Sequence, residues 1–209
     1  MNGKFISFEG PDGAGKTSVI QQIQRELEDQ LGTEKVMYTR EPGGNKISEQ
    51  IRKVLFDGQN TDMDGRTEAL LFAAARRQHI VSEIIPGLKA GKVILCDRFV
   101  DSSIAYQGAG RGLGEKEIWQ INQFAIDGHM PDKTIFLDVD PKIGLSRLAS
   151  RSFKDRLDQE SIQFHNDTFN GYKQIVEKFK DRMIIINANN SESEVIEEAY
   201  RAIKGLIND

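Results

Sequence analysis

The chain has 209 residues, of which 29% are charged and 38% hydrophobic, and its formal net charge at pH 7 is −4. This length suits one α/β domain better than two, and the composition is that of a folded protein rather than a disordered one. The negative charge disfavours a generic nucleic-acid coat or a binder of anionic membranes, because both are usually basic.

The start of the chain and its cysteine content indicate where the protein works. Residues 1–5 lead straight into an apolar strand pattern without a signal-peptide core, and no stretch reaches the roughly 18 apolar residues that span a bilayer. Cys96 is the one cysteine, which excludes an intramolecular disulfide and disfavours a structural zinc site. We expect a soluble, cytoplasmic protein with no membrane or nucleic-acid partner.

Five short apolar runs, bounded by Gly, Asp or Lys, predict strands buried on both faces of a mostly parallel sheet. They lie at residues 5–8, 35–38, 93–96, 134–137 and 183–186. Apolar residues at helical spacing predict helices at 16–31, 67–85, 115–127, 141–149, 160–179 and 192–207. The alternation predicts a doubly wound α/β sandwich in one domain, 1–209. The polar segment 150–156 predicts a mobile surface loop.

A phosphate-binding loop follows the first predicted strand. Residues 10–17 have the sequence GPDGAGKT, which matches G-x-x-x-x-G-K-[ST] and opens the first predicted helix. The glycines let backbone N–H groups surround an anion, and the helix adds the positive end of its dipole. Lys16 can reach the β- and γ-phosphates, and the Thr17 hydroxyl can ligate Mg²⁺. We predict a nucleoside triphosphate site, because an ordinary glycine turn would not need this pattern between a strand and a helix.

The further motifs that a GTPase requires are incomplete and occur in the wrong order along the chain. Residues 62–65 match D-x-x-G, but the fragment at 45–48 (NKIS) ends in Ser and precedes it instead of following it. We interpret Asp64 as a helix cap and Asn45 as a loop residue.

Further polar clusters follow the other strands. They are residues 39–44 (TREPGG), 97–99 (DRF) and 101–108 (DSSIAYQG), with Arg52 on a helix after Gly44. Phe72 and Arg76 lie one turn apart on the third predicted helix. Open α/β sheets bind ligands at this edge, and several arginines beside a P-loop suit a second anionic substrate. Taken singly, Phe72 suits the core, Arg76 a solvated face and Glu41 a turn.

Four segments together resemble thymidylate kinases: F-E-G-P-D-G-A-G-K-T, T-R-E-P-G-G, D-R-F-x-D-S-S-x-A-Y-Q-G and R-L-D-Q-E. They occur in the family's order and spacing between residues 5 and about 186. The resemblance implies ATP-dependent phosphorylation of dTMP to dTDP in dTTP biosynthesis, by in-line transfer with Mg²⁺. It also implies a homodimer and a three-layer P-loop nucleoside monophosphate kinase fold, with a five-stranded parallel sheet, helices on both faces and a short lid at about 148–158. The apolar stripe of helix 67–85 is long enough to serve both the core and a partner.

The resemblance assigns the ATP site to the P-loop and its surroundings. It implies that Thr17 and Asp97 hold Mg²⁺ and that Arg147 flanks the adenine. The implied ATP-binding residues are Gly10, Pro11, Asp12, Gly13, Ala14, Gly15, Lys16, Thr17, Ser18 and Arg147.

For the acceptor, the resemblance implies that Phe72 stacks on thymine, while Arg76 and Gln107 bond to the edge of the base. Asp12 is implied to accept the 3′-hydroxyl, and Glu41 to lie near the acceptor sugar and a water on the metal. The implied substrate-binding residues are Asp12, Arg40, Glu41, Arg52, Phe72, Arg76, Arg98, Ser102, Ser103 and Gln107, with Arg40, Arg52 and Arg98 around the monophosphate.

Catalysis is expected to rest on charge stabilisation, because the phosphate of dTMP is already an anionic nucleophile and needs no strong base. The implied catalytic residues are Lys16, Arg98, Arg151 and Glu41. Some family members carry an arginine at the position of Gly13, whereas this chain has Arg147, Arg151, Lys154 and Arg156 in or beside the lid. We expect Arg151 to neutralise the transferring phosphoryl group and at least two of the four to be solvated charges.

Two alternatives stay open on the sequence. A deoxynucleoside kinase also carries an acid after the second strand and a D-R pair, but its acceptor is a neutral hydroxyl, which the acceptor arginines disfavour. A non-catalytic P-loop module would bind ATP without rapid turnover. His79 is interpreted as a helix-face histidine without a partner, and His129 as a surface residue.

Overall fold

The computed structural model describes residues 3–149 and 155–208. Its centre is a parallel sheet of five strands in the order β2-β3-β1-β4-β5. The strands are β1 (Lys4–Glu9), β2 (Val36–Arg40), β3 (Val93–Asp97), β4 (Lys133–Asp138) and β5 (Met183–Asn187). The prediction of a five-stranded parallel sheet with helices on both faces is confirmed.

Helices connect the strands and cover the sheet. They are α1 (Lys16–Leu31), α2 (Lys46–Phe56), α3 (Gly65–His79), α4 (Ile85–Lys89), α5 (Val100–Ser103), α6 (Glu115–Ile126), α7 (Pro141–Ala149), α8 (Ile162–Lys178) and α9 (Glu192–Asn208). A π-helical turn at Ile80–Ile84 joins α3 to α4, and another at Ile104–Gly110 extends α5. The helical path through 100–110 was not predicted, because its glycines and serines have low helix propensity.

Two apolar layers enclose the sheet because successive strand residues face opposite sides. In β1, Phe5 joins the layer that contains Phe99, while Ile6 joins the layer beneath α1 and α9. The expectation that every strand is buried on both faces is wrong for β5. This strand forms an edge of the sheet, and Ile185 is 52% exposed.

The starts of α2 and α3 show how local sequence sets the helix ends. The Asp64 carboxylate accepts the backbone N–H groups of Arg66 and Thr67, which confirms it as the cap of α3. The Asn45 side chain accepts the N–H of Ser48, so Asn45 is the N-cap of α2 and not simply a loop residue.

None of the helices within residues 3–149 and 155–208 combines the length and apolar character that crossing a membrane requires.

Candidate active site

A cleft of about 450 Å³ opens at the carboxyl ends of β1, β2 and β3. The P-loop forms one side of it, and the polar residues after β2 and β3, with parts of α2 and α3, form the other. The structure therefore brings together residues from every predicted cluster: Asp12, Gly13, Gly15, Lys16, Thr17, Ser18, Arg40, Glu41, Arg52, Phe72, Arg76, Asp97, Arg98, Ser102, Ser103, Gln107 and Arg147.

The glycine at position 13 is required by both backbone conformation and space. Gly13 has a φ of +80°, and a Cβ built there would lie 2.3 Å from the carbonyl oxygen of Gly144 on α7. An arginine at this position, as in some relatives, would need α7 to move.

Lys16 lies inside the P-loop, with its ammonium group buried. Its Nζ donates to the carbonyl oxygens of Gly10 and Pro11, at 2.8 and 3.0 Å. Burial, with the nearby Arg98 charge, lowers the pKa of Lys16 to about 8. The adjacent Thr17 hydroxyl donates to Oδ2 of Asp97 at 3.1 Å, which places the two predicted metal ligands side by side.

Arg98 stands between the P-loop and the acceptor side of the cleft. Its Nη2 donates to Oδ1 of Asp12 at 2.6 Å, and its Nη1 donates to the Tyr172 hydroxyl at 2.9 Å. The Tyr106 hydroxyl binds the other oxygen of Asp12 at 2.5 Å. Arg98 also has a φ of +67°, a left-handed conformation that is unfavourable for a side chain other than glycine. The guanidinium is thus fixed at the cost of backbone strain.

Glu9, to which sequence reasoning gave no role, supports this strained turn from beneath. Its carboxylate accepts the backbone N–H groups of Phe99 and Ser102, at 2.7 and 3.2 Å, and the hydroxyls of Ser102 and Tyr172. Burial and the charge of Asp101 raise the pKa of Glu9 to about 7. An acid at the end of an otherwise apolar strand was the signal available in the sequence.

Arg76 and Glu41 form a buried pair, in which each is held by further partners. Nε of Arg76 donates to Oε2 of Glu41 at 2.7 Å, and His79 Nδ1 lies 2.9 Å from Oε1. Arg76 also donates to Ser103, Asn122 and the Phe99 carbonyl. The prediction that His79 has no partner is wrong, because its ring bridges Glu41 and Thr39. Glu41 holds Arg76 in place, and its predicted contact with the acceptor sugar stays a prediction.

Two arginines concentrate positive charge beside the mouth of the cleft. Arg40 donates to both oxygens of Glu49, at 3.1 and 3.2 Å, and Nη1 of Arg52 donates to the Pro42 carbonyl at 2.9 Å. Burial and the neighbouring Arg40 lower the pKa of Arg52. An anion stabilises two neighbouring positive charges, so this corner suits a phosphate.

An aromatic ring and an amide side chain also line the cleft. The Phe72 ring packs edge-on against Phe56, with 6.2 Å between centroids, and lines the cleft. Gln107 is buried beside it, and its Nε2 donates to Oε1 of Glu68 at 2.8 Å. A flat ring and a fixed amide are the groups that a planar heterocyclic base requires.

Replacing Phe72 with Ala is expected to raise KM for dTMP by about 5- to 100-fold, since base–aromatic stacking contributes about 1–3 kcal/mol per base. KM for ATP should stay near the wild-type value. Steady-state kinetics with each substrate varied in turn measures both. Phe72→Leu is the matched control, because it keeps apolar volume but removes the ring. An unchanged KM for dTMP in both variants, with a lower Tm, would make Phe72 a core residue only.

The structure gives a different result for each of the basic residues predicted in or beside the lid. Arg151 and Lys154 lie outside the described residues. Nη1 of Arg147 donates to the Gly13 carbonyl at 3.1 Å, which places this arginine against the P-loop. Arg156, expected in a mobile polar loop, is buried instead: it donates to Oε2 of Glu68 and to the Leu55 carbonyl. The loop prediction is therefore wrong for Arg156.

Comparisons with known proteins show similarity over nearly the whole chain. A sequence model of the family described as "Thymidylate kinase" matches residues 8–199. The chain is 72% identical to a thymidylate kinase of Limosilactobacillus reuteri (strain DSM 20016), over 100% of this chain and 99% of the relative. It is 54% identical to a thymidylate kinase of Geobacillus sp. (strain WCH70), over 99% of each. The crystal structure of thymidylate kinase from Ehrlichia chaffeensis superposes with a TM-score of 0.79 at 33% identity, covering 98% of this chain and 99% of that one.

Proposed function

The chain belongs to the thymidylate kinase family, and from that premise we propose that its cleft binds ATP along the P-loop and dTMP against Phe72 and the acceptor arginines. The protein is a kinase of nucleotide biosynthesis that phosphorylates dTMP to dTDP with ATP. The observation that carries the proposed placement is that one cleft joins a P-loop to an arginine-lined pocket with an aromatic ring.

A coupled assay that detects ADP with each nucleoside monophosphate, and with thymidine, tests this function. Rapid turnover with dTMP and none with thymidine is expected, because Arg40 and Arg52 surround an acceptor that carries a phosphate. Faster turnover with thymidine would favour a deoxynucleoside kinase. ATP binding without turnover on any acceptor would favour a non-catalytic module.

The donor half of the proposal rests on the P-loop. Backbone N–H groups of the loop face the phosphates, and Lys16 exchanges its contacts with two loop carbonyls for the β- and γ-phosphates. Ser18, exposed at the start of α1, is placed beside them. Arg147, held against the loop by the Gly13 carbonyl, is proposed to flank the adenine.

Mg²⁺ fits the residues at the end of the loop. The structure places the Thr17 hydroxyl and an Asp97 carboxylate oxygen together, and both are hard oxygen donors. The described residues contain no cluster of three or more His, Cys, Asp or Glu side chains able to hold a metal. This sparse set suits a cation that takes its other ligands from phosphates and water. When bound there, Mg²⁺ supplies charge neutralisation at the phosphates, and Thr17 and Asp97 would hold it.

The acceptor half places the monophosphate between Arg40, Arg52 and Arg98. A phosphate oxygen of dTMP forms a bond to the γ-phosphorus as the bond from that phosphorus to the β–γ bridging oxygen breaks, and ADP leaves. Arg98 donates both to the P-loop carbonyl of Gly10 and to the Ser102 hydroxyl after β3, so it is proposed to stabilise the charge shared during transfer. Arg151 is proposed for the same task from the lid side.

The whole chain is proposed to act as one cytoplasmic kinase domain with a lid at 148–158, assembled as a homodimer. Exposed apolar side chains on α2, α3, α6 and the π-helical turn after α3 support the dimer. Those 40% or more exposed are Ile47, Val54, Leu70, Val81 and Phe124, and Phe124 is 88% exposed. The apolar stripe of the predicted helix 67–85 thus divides, with Ile80 and Ile84 in the core and Leu70 outside. Exposed apolar surface on adjacent helices is typical of a subunit interface.

Leu70→Glu is expected to convert the dimer into a monomer, since it places a charge within an apolar contact. Analytical ultracentrifugation at several protein concentrations measures the mass. Ile162→Glu is the matched control, because Ile162 is 70% exposed on α8, which is not one of the helices of the proposed interface. A wild-type protein that sediments as a monomer at all concentrations would contradict the dimer.

A further inference from the structure

A buried carboxylate lies behind the cleft without lining it. Glu68 on α3 is fully buried, and its two oxygens accept from three side chains. Oε1 accepts from Nε2 of Gln107 at 2.8 Å and from Nε of Arg111 at 3.2 Å, while Oε2 accepts from Arg111 at 2.9 Å and from Nη2 of Arg156 at 2.6 Å. Leu55 anchors Arg156 further through its carbonyl. Gln107 is the member of this cluster that faces the cleft.

The charge balance of the cluster keeps Glu68 ionised. Burial alone raises the pKa of a carboxyl group, but hydrogen bonds from Arg111, Gln107 and Arg156 outweigh burial and lower the pKa of Glu68. Arg111 also forms an ion pair with Glu160, with 2.6 Å between Nη2 and Oε1. Glu68 and Glu160 therefore offset Arg111 and Arg156. An ionised carboxylate has acceptors only and no hydrogen to donate.

This restriction fixes the orientation of the Gln107 amide. The amide has a donor end (Nε2) and an acceptor end (Oε1), and the carboxylate of Glu68 can pair only with the donor end. A reversed amide would set the Gln107 oxygen against a buried negative charge and leave Glu68 short of a donor. The carbonyl oxygen of Gln107 is consequently the group left for a ligand.

Pyrimidine bases differ in the edge that they offer to such an oxygen. Thymine and uracil carry an N–H donor at N3 between two carbonyl oxygens, whereas cytosine carries a bare acceptor at N3 and an amino group at C4. An amide locked with its oxygen toward the base accepts from the first edge and faces another acceptor in the second. A freely rotating amide could serve both.

We propose that Glu68 is a positioning residue for base selection, which orients Gln107 so that its carbonyl oxygen accepts from the N3–H of thymine and opposes cytosine. The proposal rests on the proposed contact of Gln107 with the base. Glu68 itself touches no substrate. It acts through an amide that it binds across 39 positions of sequence.

Glu68→Gln tests this, because the new amide can either accept from Gln107 or donate to it. The ratio of kcat/KM for dTMP to that for dCMP is expected to fall about tenfold or more, mainly through KM, whereas KM for ATP stays constant. The ratio of dTMP to dUMP should stay within about twofold, because uracil offers the same hydrogen-bonding edge. If Glu68 had only a structural role, the substitution would lower kcat/KM for all acceptors by the same factor and leave both ratios unchanged.

Glu68→Gln leaves one buried arginine charge uncompensated, and this could prevent folding. A second variant, in which the charges balance, keeps the test decisive in that case. Glu68→Gln combined with Arg156→Gln restores the balance and should show the same loss of preference for dTMP over dCMP. Arg156→Gln alone is the matched control: it leaves the carboxylate on Gln107, so the preference should be retained.

Gln107→Ala separates failure of this proposal from failure of the proposed contact. If Gln107→Ala keeps the preference for dTMP over dCMP, base selection does not act through Gln107 and the proposal is overturned. If the KM for dTMP is unchanged as well, the contact of Gln107 with the base is wrong. If Gln107→Ala loses the preference while both Glu68 variants keep it, the contact stands and the role of Glu68 is overturned. Adding Glu68→Gln to Gln107→Ala should cause no further loss of preference, because both changes act through one amide. Additive losses would also overturn the proposal.

Discussion

Lys16→Met is expected to lower kcat by about 10²–10³-fold or more, because it removes a preorganised positive charge from the transferring phosphoryl group. In the structure Lys16 is buried against the carbonyls of Gly10 and Pro11. Methionine retains the length and apolar stem, so the fold should be kept. Single-turnover kinetics at saturating ATP and dTMP measures the loss, and a thermal melt checks the fold.

The pH dependence of ATP binding gives an independent check. Burial and Arg98 lower the pKa of Lys16 to about 8, so the free protein carries this charge at pH 7 and loses it as the pH rises through 8. The Kd for ATP should therefore rise about tenfold from pH 7 to pH 9. This is the change expected when only the protonated form of a group with a pKa of about 8 binds ATP. Calorimetry should show no such trend in Lys16→Met. The same trend in that variant would assign the titration to another group, and wild-type turnover would remove Lys16 from the mechanism.

The sequence predicts well what depends on neighbouring residues. The short apolar run at residues 5–8 and the glycine pattern before Lys16 are local patterns with direct physical meaning. The structure has a strand buried on both faces at the first and a loop with left-handed glycines at the second. The predicted acceptor residues meet in one cleft because parallel strands end at a common edge. Their individual contacts with substrate remain proposals.

What the sequence does not predict depends on pairs that are distant along the chain. Arg156 has polar neighbours and was expected in solvent, yet its partner Glu68 lies 88 positions away and buries it. Glu9 and Tyr172 meet across 163 positions, and Glu41 reaches His79 across 38. A buried charge is tolerated only with its partners, and local sequence carries no information on where those partners are.

Arg98 combines its proposed catalytic role with a strained backbone, and the two can be separated. Arg98→Ala is expected to lower kcat and kcat/KM together by about 10³-fold, comparable to the loss of an arginine that stabilises phosphoryl transfer. The φ of +67° stays unfavourable in Ala but is relaxed in Gly. Arg98→Gly should therefore be as inactive as Arg98→Ala, although it is about 1–2 kcal/mol more stable than Ala in this conformation.

Turnover and thermal unfolding, measured on both variants, decide between the two roles. If residue 98 mattered mainly through the backbone conformation of the turn after β3, activity would follow stability and the Gly variant would recover part of it. Tyr172→Phe is the matched control for the hydrogen bonds of Arg98: it removes one of the hydroxyls around the guanidinium but leaves its charge in the cleft, so its loss of kcat should be small. A Tyr172→Phe protein as impaired as Arg98→Ala would show that the hydrogen-bonded network matters more than the guanidinium charge.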